Sequence, residues 1–240
     1  PSLIPPVVAN AIVNSGNKVA FKDQISWVGD SYLLHSFGDY KIVDSAQKVE
    51  RNQFDQCDPQ DLMFFSFYPT KPVGGIDGGI IVSNDEEKIN WFREASMNGM
   101  SYAVHNWERK QKFPGWKMYM NSSQAYVALQ NLRKLDEKKR RLAVIRLRYN
   151  RHFNEVNTSD HLYRINVTDR STAMQTLKEK GIVCGIHYEP LHKSEVFFSD
   201  DSLPWSENEA KTTMSIPFHE AMTDEEVDKV IYELGKINIR

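Results

Sequence analysis

Three short apolar runs constrain the fold of this chain more than any other feature: residues 40–43, 62–67 and 79–82, each bounded by polar residues, Gly or Pro. Continuous apolar runs of this length suit strands covered on both faces, so they predict buried strands of a parallel or mixed sheet. Residues 85–96 open with Asp-Glu-Glu and predict a helix whose acids sit in the first turn, where the helix dipole favours them. Strands interspersed with amphipathic helices imply an α/β architecture. With 240 residues, 40% of them hydrophobic, the chain is long enough for one large domain or two modest ones around a real core.

The remaining segments fill in that plan. Residues 5–15 predict a helix with prolines in its first turn and Gly16 at its end. Residues 19–21 make a short strand candidate, 26–40 read mostly as loop, and 97–120 as an ordered but irregular connection. From Ser122 to Phe153 the period becomes helical: Ala125, Leu129, Leu132, Leu135, Leu142, Ile145 and Tyr149 recur at spacings of three, four or seven. The basic run Lys138-Lys139-Arg140-Arg141 reads as the solvated face of this long helix. Beyond it come a strand at 162–167, a helix at 171–180 capped by Gly181, a strand at 182–188, and a last helix with Thr223 as its N-cap. That alternation predicts a small α+β domain following the long helix, with the division at residues 1–121 and 122–240. No internal repeat or low-complexity segment is visible.

Charge and cysteine content narrow the setting. Thirty basic residues against 32 acidic ones leave a net charge of −2, which offers no electrostatic footprint for nucleic acid or an anionic membrane. No apolar run approaches the roughly 20 residues of a membrane span, and the first residues show no signal-peptide pattern. Cys57 and Cys184 match no metal-ligand spacing and form no disulfide framework, so the expected setting is the reducing cytoplasm. The opening Pro-Ser-Leu-Ile leaves two readings, a trimmed initiator Met or a piece of something longer.

The window richest in chemistry is Ser66-Phe67-Tyr68-Pro69-Thr70-Lys71-Pro72-Val73-Gly74-Gly75-Ile76-Asp77-Gly78-Gly79. Here a lysine sits in a Pro/Gly-rich turn between two strands. Most lysines are surface residues. At a strand end in an α/β fold, however, a partly desolvated Lys has a lowered pKa and can form a Schiff base with a carbonyl. Upstream, the strand Lys41-Ile42-Val43 delivers Asp44 at its end. By motif alone Asp44 suits a turn-capping role better. Beside Lys71 it meets a need of pyridoxal phosphate chemistry, a carboxylate that keeps the pyridine nitrogen protonated.

These segments resemble the DegT/DnrJ/EryC1/StrS family of pyridoxal-phosphate-dependent sugar aminotransferases, of aspartate-aminotransferase fold type I. Val43-Asp44-Ser45-Ala46-Gln47 resembles the family's acidic-Asp-x-Ala-Gln segment, and residues 66–79 with Ser83-Asn84-Asp85 resemble its lysine segment. Gln124-Ala125 and Leu132-x-x-Leu135-Asp136 resemble the signatures of its long helix. Gly181-Ile182 with His187-Tyr188-Glu189-Pro190-Leu191-His192, and Ser215-Ile216-Pro217-Phe218-His219, resemble its two C-terminal motifs. The resemblance implies fold type I, with a shortened large domain carrying a mixed or parallel sheet and a small C-terminal α+β domain. It implies Lys71 and Asp44 as catalytic residues, with Lys71 in Schiff-base linkage to pyridoxal 5′-phosphate and Asp44 on its pyridine nitrogen. Gln47 and Ala46 would lie by the cofactor ring, and Ser66 would bond its phosphate. His187 and Tyr188 become candidates for the substrate, and His187 or His192 could reach the sugar or the cofactor; both histidines also suit a structural role, and His219 reads as structural. The implied reaction moves an amino group from glutamate to a nucleotide-linked keto-sugar, in a homodimer with the site at the interface. Lysine at 71 separates the chain from the family's sugar dehydratases, which carry His there, and the Ser-Phe-Tyr-Pro form with Asp77 leans toward 3-keto sugars.

The chain also departs from the pattern. The family's Gly-Thr/Ser turn, which binds phosphate at a helix N-terminus, and the aromatic residue stacked on the ring both belong to a segment preceding the part matched here. At Gly115-Trp116-Lys117-Met118-Tyr119-Met120 the family's Asn or Arg is missing. Lys117 then reads either as a substitute point charge for phosphate or substrate, or as an ordinary exposed lysine. Two alternatives therefore stand beside the enzyme: a non-catalytic relative serving as a binding or assembly module, and half of a site completed by another chain.

Overall fold

The computed structural model describes residues 1–154, 156–237 and 239. The chain divides into two compact units, residues 31–136 and residues 1–30 with 137–240. This differs from a division at 121, because the N-terminal residues pack with the C-terminal part. Leu3, Ile4, Val8 and Ala9 are all buried.

The 31–136 unit is built on a four-stranded sheet of order β1-β2-β3-β4: β1 (Tyr32–Phe37), β2 (Tyr40–Asp44), β3 (Leu62–Ser66) and β4 (Gly79–Val82). β1 and β2 form an antiparallel hairpin, β2 and β3 run parallel, and β3 and β4 are antiparallel. The sheet is thus mixed, and the three apolar runs are its inner and second-edge strands. Burial is less complete than their composition predicts. Ile80 is 49% and Ile81 39% exposed, because β4 is a sheet edge within this unit. β1 falls in a segment expected to be loop. Its Tyr-Leu-Leu-His-Ser-Phe sequence lacks clean alternation and only Tyr32 is buried, so the hairpin partner rather than local pattern makes it a strand. α2 (Glu86–Ser96) begins where its acids predict, with the Asp85 carboxylate accepting from the Lys88 amide. The long helix proves to be two, α3 (Ser122–Arg133) and α4 (Leu135–Phe153). The Lys134 amide bonds back to the Asn131 carbonyl in a tightened turn, and the helix restarts at Leu135.

The other unit packs α1 (Pro6–Asn14), most of α4, α5 (Arg170–Glu179), α6 (Pro204–Thr212) and α7 (Asp224–Leu234) with a two-stranded antiparallel sheet of β5 (Tyr163–Asn166) and β6 (Thr213–Ile216). Its core takes Leu142, Ile145 and Tyr149 from one stripe of α4, Ile165 and Met214 from the sheet, Leu177 from α5 and Val230 and Leu234 from α7. Each such side chain contributes about 1.5–3 kcal/mol on burial. The basic run on α4 is ion-paired rather than simply solvated: Lys138 meets Glu220, Lys139 meets Asp160 and Arg141 meets Asp224. Gly181 adopts φ +74°, the left-handed turn that ends α5. Among the described residues, 19–21 join no strand, and the Phe21 ring lies against His192 instead. Residues 182–188 make a single bridge, Gly185 to Ser215, rather than a strand. α6 begins at Pro204, and its first amides, Trp205 and Ser206, are capped by the Asp23 carboxylate from far along the chain.

Candidate active site

Because β2 and β3 run parallel, their C-terminal ends emerge side by side, the position where α/β sheets hold ligands. Asp44 is the last residue of β2 and Ser66 the last of β3. Asp44 is buried, 5% exposed, and its side chain is held at both oxygens. Oδ1 accepts from the Ala46 amide and Oδ2 from the Tyr32 hydroxyl, each at 2.9 Å. Among the described residues no cation forms an ion pair with it. Burial pushes its carboxyl above the ordinary range, while those two hydrogen bonds and the Lys71 charge pull the other way.

Lys71 lies in the loop that leaves β3. Its amide bonds to the Tyr68 carbonyl at 2.9 Å, the Gly75 amide to the Phe67 carbonyl at 2.8 Å, and the Phe67 amide to the Gly78 carbonyl at 2.8 Å. Pro72 and Val73 are buried beneath the turn. The chain passes so close to itself that a Cβ on Gly74 would sit 2.4 Å from the Pro69 carbonyl oxygen. The Asn131 amide of α3 donates to the Gly74 carbonyl and fastens the loop. Lys71 Nζ has no hydrogen-bond or ion-pair partner among the described residues. Burial lowers its pKa, and Asp44 only partly offsets this. A lowered pKa increases the share of free amine at neutral pH, the nucleophilic form.

The other residues singled out from the sequence fall in different places. Gln47 is buried just beyond Asp44, and Ala46 contributes its amide to the carboxylate. Ser66 Oγ accepts from the Tyr68 amide at 3.2 Å, which leaves its own proton available to donate. Lys117 is exposed in the same unit, without an ion pair among the described residues. His187 and Tyr188 belong to the other unit. His187 Nδ1 bonds to Ser215 Oγ at 2.8 Å, and Tyr188 stacks on Trp27 with ring planes 6° apart. His192 is fully buried between Ser2 Oγ at 2.6 Å and Glu207 at 3.1 Å. Tyr32, Asn131, Ser31 and Gln53 belong to no motif of the sequence; Ser31 and Gln53 hydrogen-bond to Ser45, the residue after Asp44.

Residues 42–235, which span this site, match the DegT/DnrJ/EryC1/StrS aminotransferase family. The chain belongs to that family. Within it, the chain is 30% identical over 202 residues to the spore coat polysaccharide biosynthesis protein SpsC of Bacillus subtilis (strain 168), covering 71% of this chain and 52% of SpsC. The crystal structure of the aminotransferase TlmJ from Streptoalloteichus hindustanus superposes with a TM-score of 0.72 at 27% identity, covering 80% of this chain and 57% of TlmJ. Spr1654 from Streptococcus pneumoniae, in its PLP form, superposes at 0.64 and 25% identity, covering 71% of this chain and 50% of that one. The fold of this DegT/DnrJ/EryC1/StrS chain is therefore the fold type I of the PLP-dependent aminotransferases. The chain spans about half the length of the relatives it matches.

Proposed function

We propose that this chain is a pyridoxal-phosphate-dependent sugar aminotransferase, taking an amino group from glutamate and delivering it to a nucleotide-linked keto-sugar. The observation that carries this reading is that Asp44, at the end of β2, and Lys71, in the loop leaving the parallel strand β3, interact electrostatically, and burial displaces the titration of each. The residues fit the cofactor. Among the described residues the buried carboxylate has no ion pair, which suits a cationic ring nitrogen, and the desolvated amine has no hydrogen-bond partner, which suits a carbonyl carbon. Asp44 would hold the ring nitrogen, Lys71 would hold the group covalently, Gln47 and Ala46 would flank the ring, and Ser66 would donate to the phosphate. When bound, the cofactor supplies an electron sink for the carbanion at the substrate carbon. Lys71 Nζ, once released from its covalent linkage by the incoming substrate amine, would carry the proton between the substrate carbon and the cofactor carbon. Asp44, kept ionised, holds the compensating negative charge. The proposed substrate contacts are His187 and Tyr188, with Lys117 a candidate for an anionic group.

The whole enzyme is proposed to act as a homodimer with the site at the interface. In support, α3 carries exposed Tyr126, Leu129 and Leu132, and β4 exposed Ile80 and Ile81. The cytoplasm is the proposed setting, in keeping with the free thiols Cys57 and Cys184. The test is transamination of a panel of nucleotide keto-sugars with glutamate. Lys71→Ala is expected to lower kcat by at least about 10²–10⁴-fold, the range for a lost proton-transfer group. Unchanged turnover would sink the assignment.

The open outer edge of β4 favours one further reading, a site completed by another polypeptide that pairs along that strand. Cofactor bound by the purified chain alone would remove the need for it.

A further inference from the structure

Tyr32 lies outside residues 42–235 and outside every motif of the site. Its place is set by the β1–β2 hairpin, in which Tyr32 stands directly opposite Asp44. Directly opposed residues present their side chains on one face of a sheet. Both side chains are buried, at 4% and 5% exposure, and the tyrosine hydroxyl reaches Asp44 Oδ2 at 2.9 Å. The Ala46 amide holds Oδ1. Two donors from two different segments thus fix the carboxylate plane, and each oxygen keeps a further acceptor site. The groups facing Asp44 are the Tyr32 hydroxyl from β1, the Ala46 amide from the following turn and the Lys71 ammonium from the loop after β3. Burial alone would favour the protonated acid, which has no negative charge to balance a ring N–H⁺. A phenol, with its ordinary pKa near 10, remains a donor throughout the neutral range and favours the carboxylate.

We propose that Tyr32 is a positioning residue for the cofactor: its hydroxyl holds the Asp44 carboxylate in the orientation and charge that a protonated ring nitrogen requires. This rests on the pyridoxal phosphate reading of the site.

The test compares the chain with its Tyr32→Phe variant for binding of pyridoxal phosphate and of the analogue whose ring nitrogen is replaced by C–H. Tyr32→Phe is expected to weaken pyridoxal phosphate binding about tenfold, the effect of one hydrogen bond to a charged group, and to leave the analogue unchanged. Equal loss for both ligands would mean that Tyr32 only supports the fold, and no loss for either would mean that it does nothing; each overturns the proposal. In the ligand-free chain, carbon NMR should show the Asp44 carboxyl titrating at higher pH in Tyr32→Phe, and an unmoved titration overturns the proposal. Should Tyr32→Phe fail to fold, a fluorinated tyrosine at position 32 keeps the hydroxyl and makes it more acidic. It should lower the Asp44 titration and tighten binding, and no shift overturns the proposal. Failure of the unsubstituted chain to bind pyridoxal phosphate would overturn the cofactor reading itself, and is seen before any substitution is made.

Discussion

Asp44 and Lys71 are displaced in opposite directions by one cause, burial, and this gives the ligand-free chain a specific pH signature. The Asp44 carboxyl titrates above its ordinary 3.8 in the folded chain. Between that value and the raised one, the folded state holds a proton that the unfolded state has released. Stability therefore falls as pH rises through this window. Lys71 has the opposite sign: its folded pKa lies below 10.5, so its contribution is unfavourable at lower pH and recovers as pH rises toward 10.5. Asp44→Asn removes the first effect. Urea unfolding from pH 3 to 7 should show the variant gaining on the unsubstituted chain as pH increases; a constant difference would mean that Asp44 titrates normally. Such tension is tolerable where a ligand relieves it, since a cationic ring nitrogen stabilises the charge that burial opposes.

Among the elements, the loop after β3 does most to place the chemistry, and it depends on backbone approach more than on side chains. Gly74→Ala would put a Cβ 2.4 Å from a backbone oxygen of Pro69, so the turn bearing Lys71 must shift. The expected result is a stability loss of about 1–3 kcal/mol and a clearly slower reaction of Lys71 with pyridoxal phosphate, followed by absorbance; an unaltered rate would show that the turn is not what positions the amine. Much of this was legible in the sequence. Apolar runs marked β2, β3 and β4, acids marked the start of α2, and Thr223 marked the start of α7, where a capping box with Glu226 forms. What was not legible depends on distant partners. β1 is a strand because β2 pairs with it, α6 is capped by Asp23 from about 180 positions away, and Tyr32 matters only because the hairpin register sets it opposite Asp44. Local pattern carries no trace of such contacts.

Over the whole molecule, the order of motifs showed the family, while the compact units were less readable, because buried Leu3 and Ile4 tie the first residues to the C-terminal part. The exposed apolar side chains of α3 and β4 belong to the proposed assembly. Leu129→Asp, at a position 44% exposed, should leave the circular dichroism spectrum intact yet shift sedimentation from dimer to monomer. A monomer before substitution would refute the dimer. Borohydride reduction of the purified protein with added cofactor, followed by peptide mass mapping, tests whether Asp44 and Lys71 form a working pyridoxal phosphate site within this chain. The expected product is a single pyridoxyl adduct on Lys71, lost in Lys71→Ala. No adduct, or adducts scattered over exposed lysines, would contradict it.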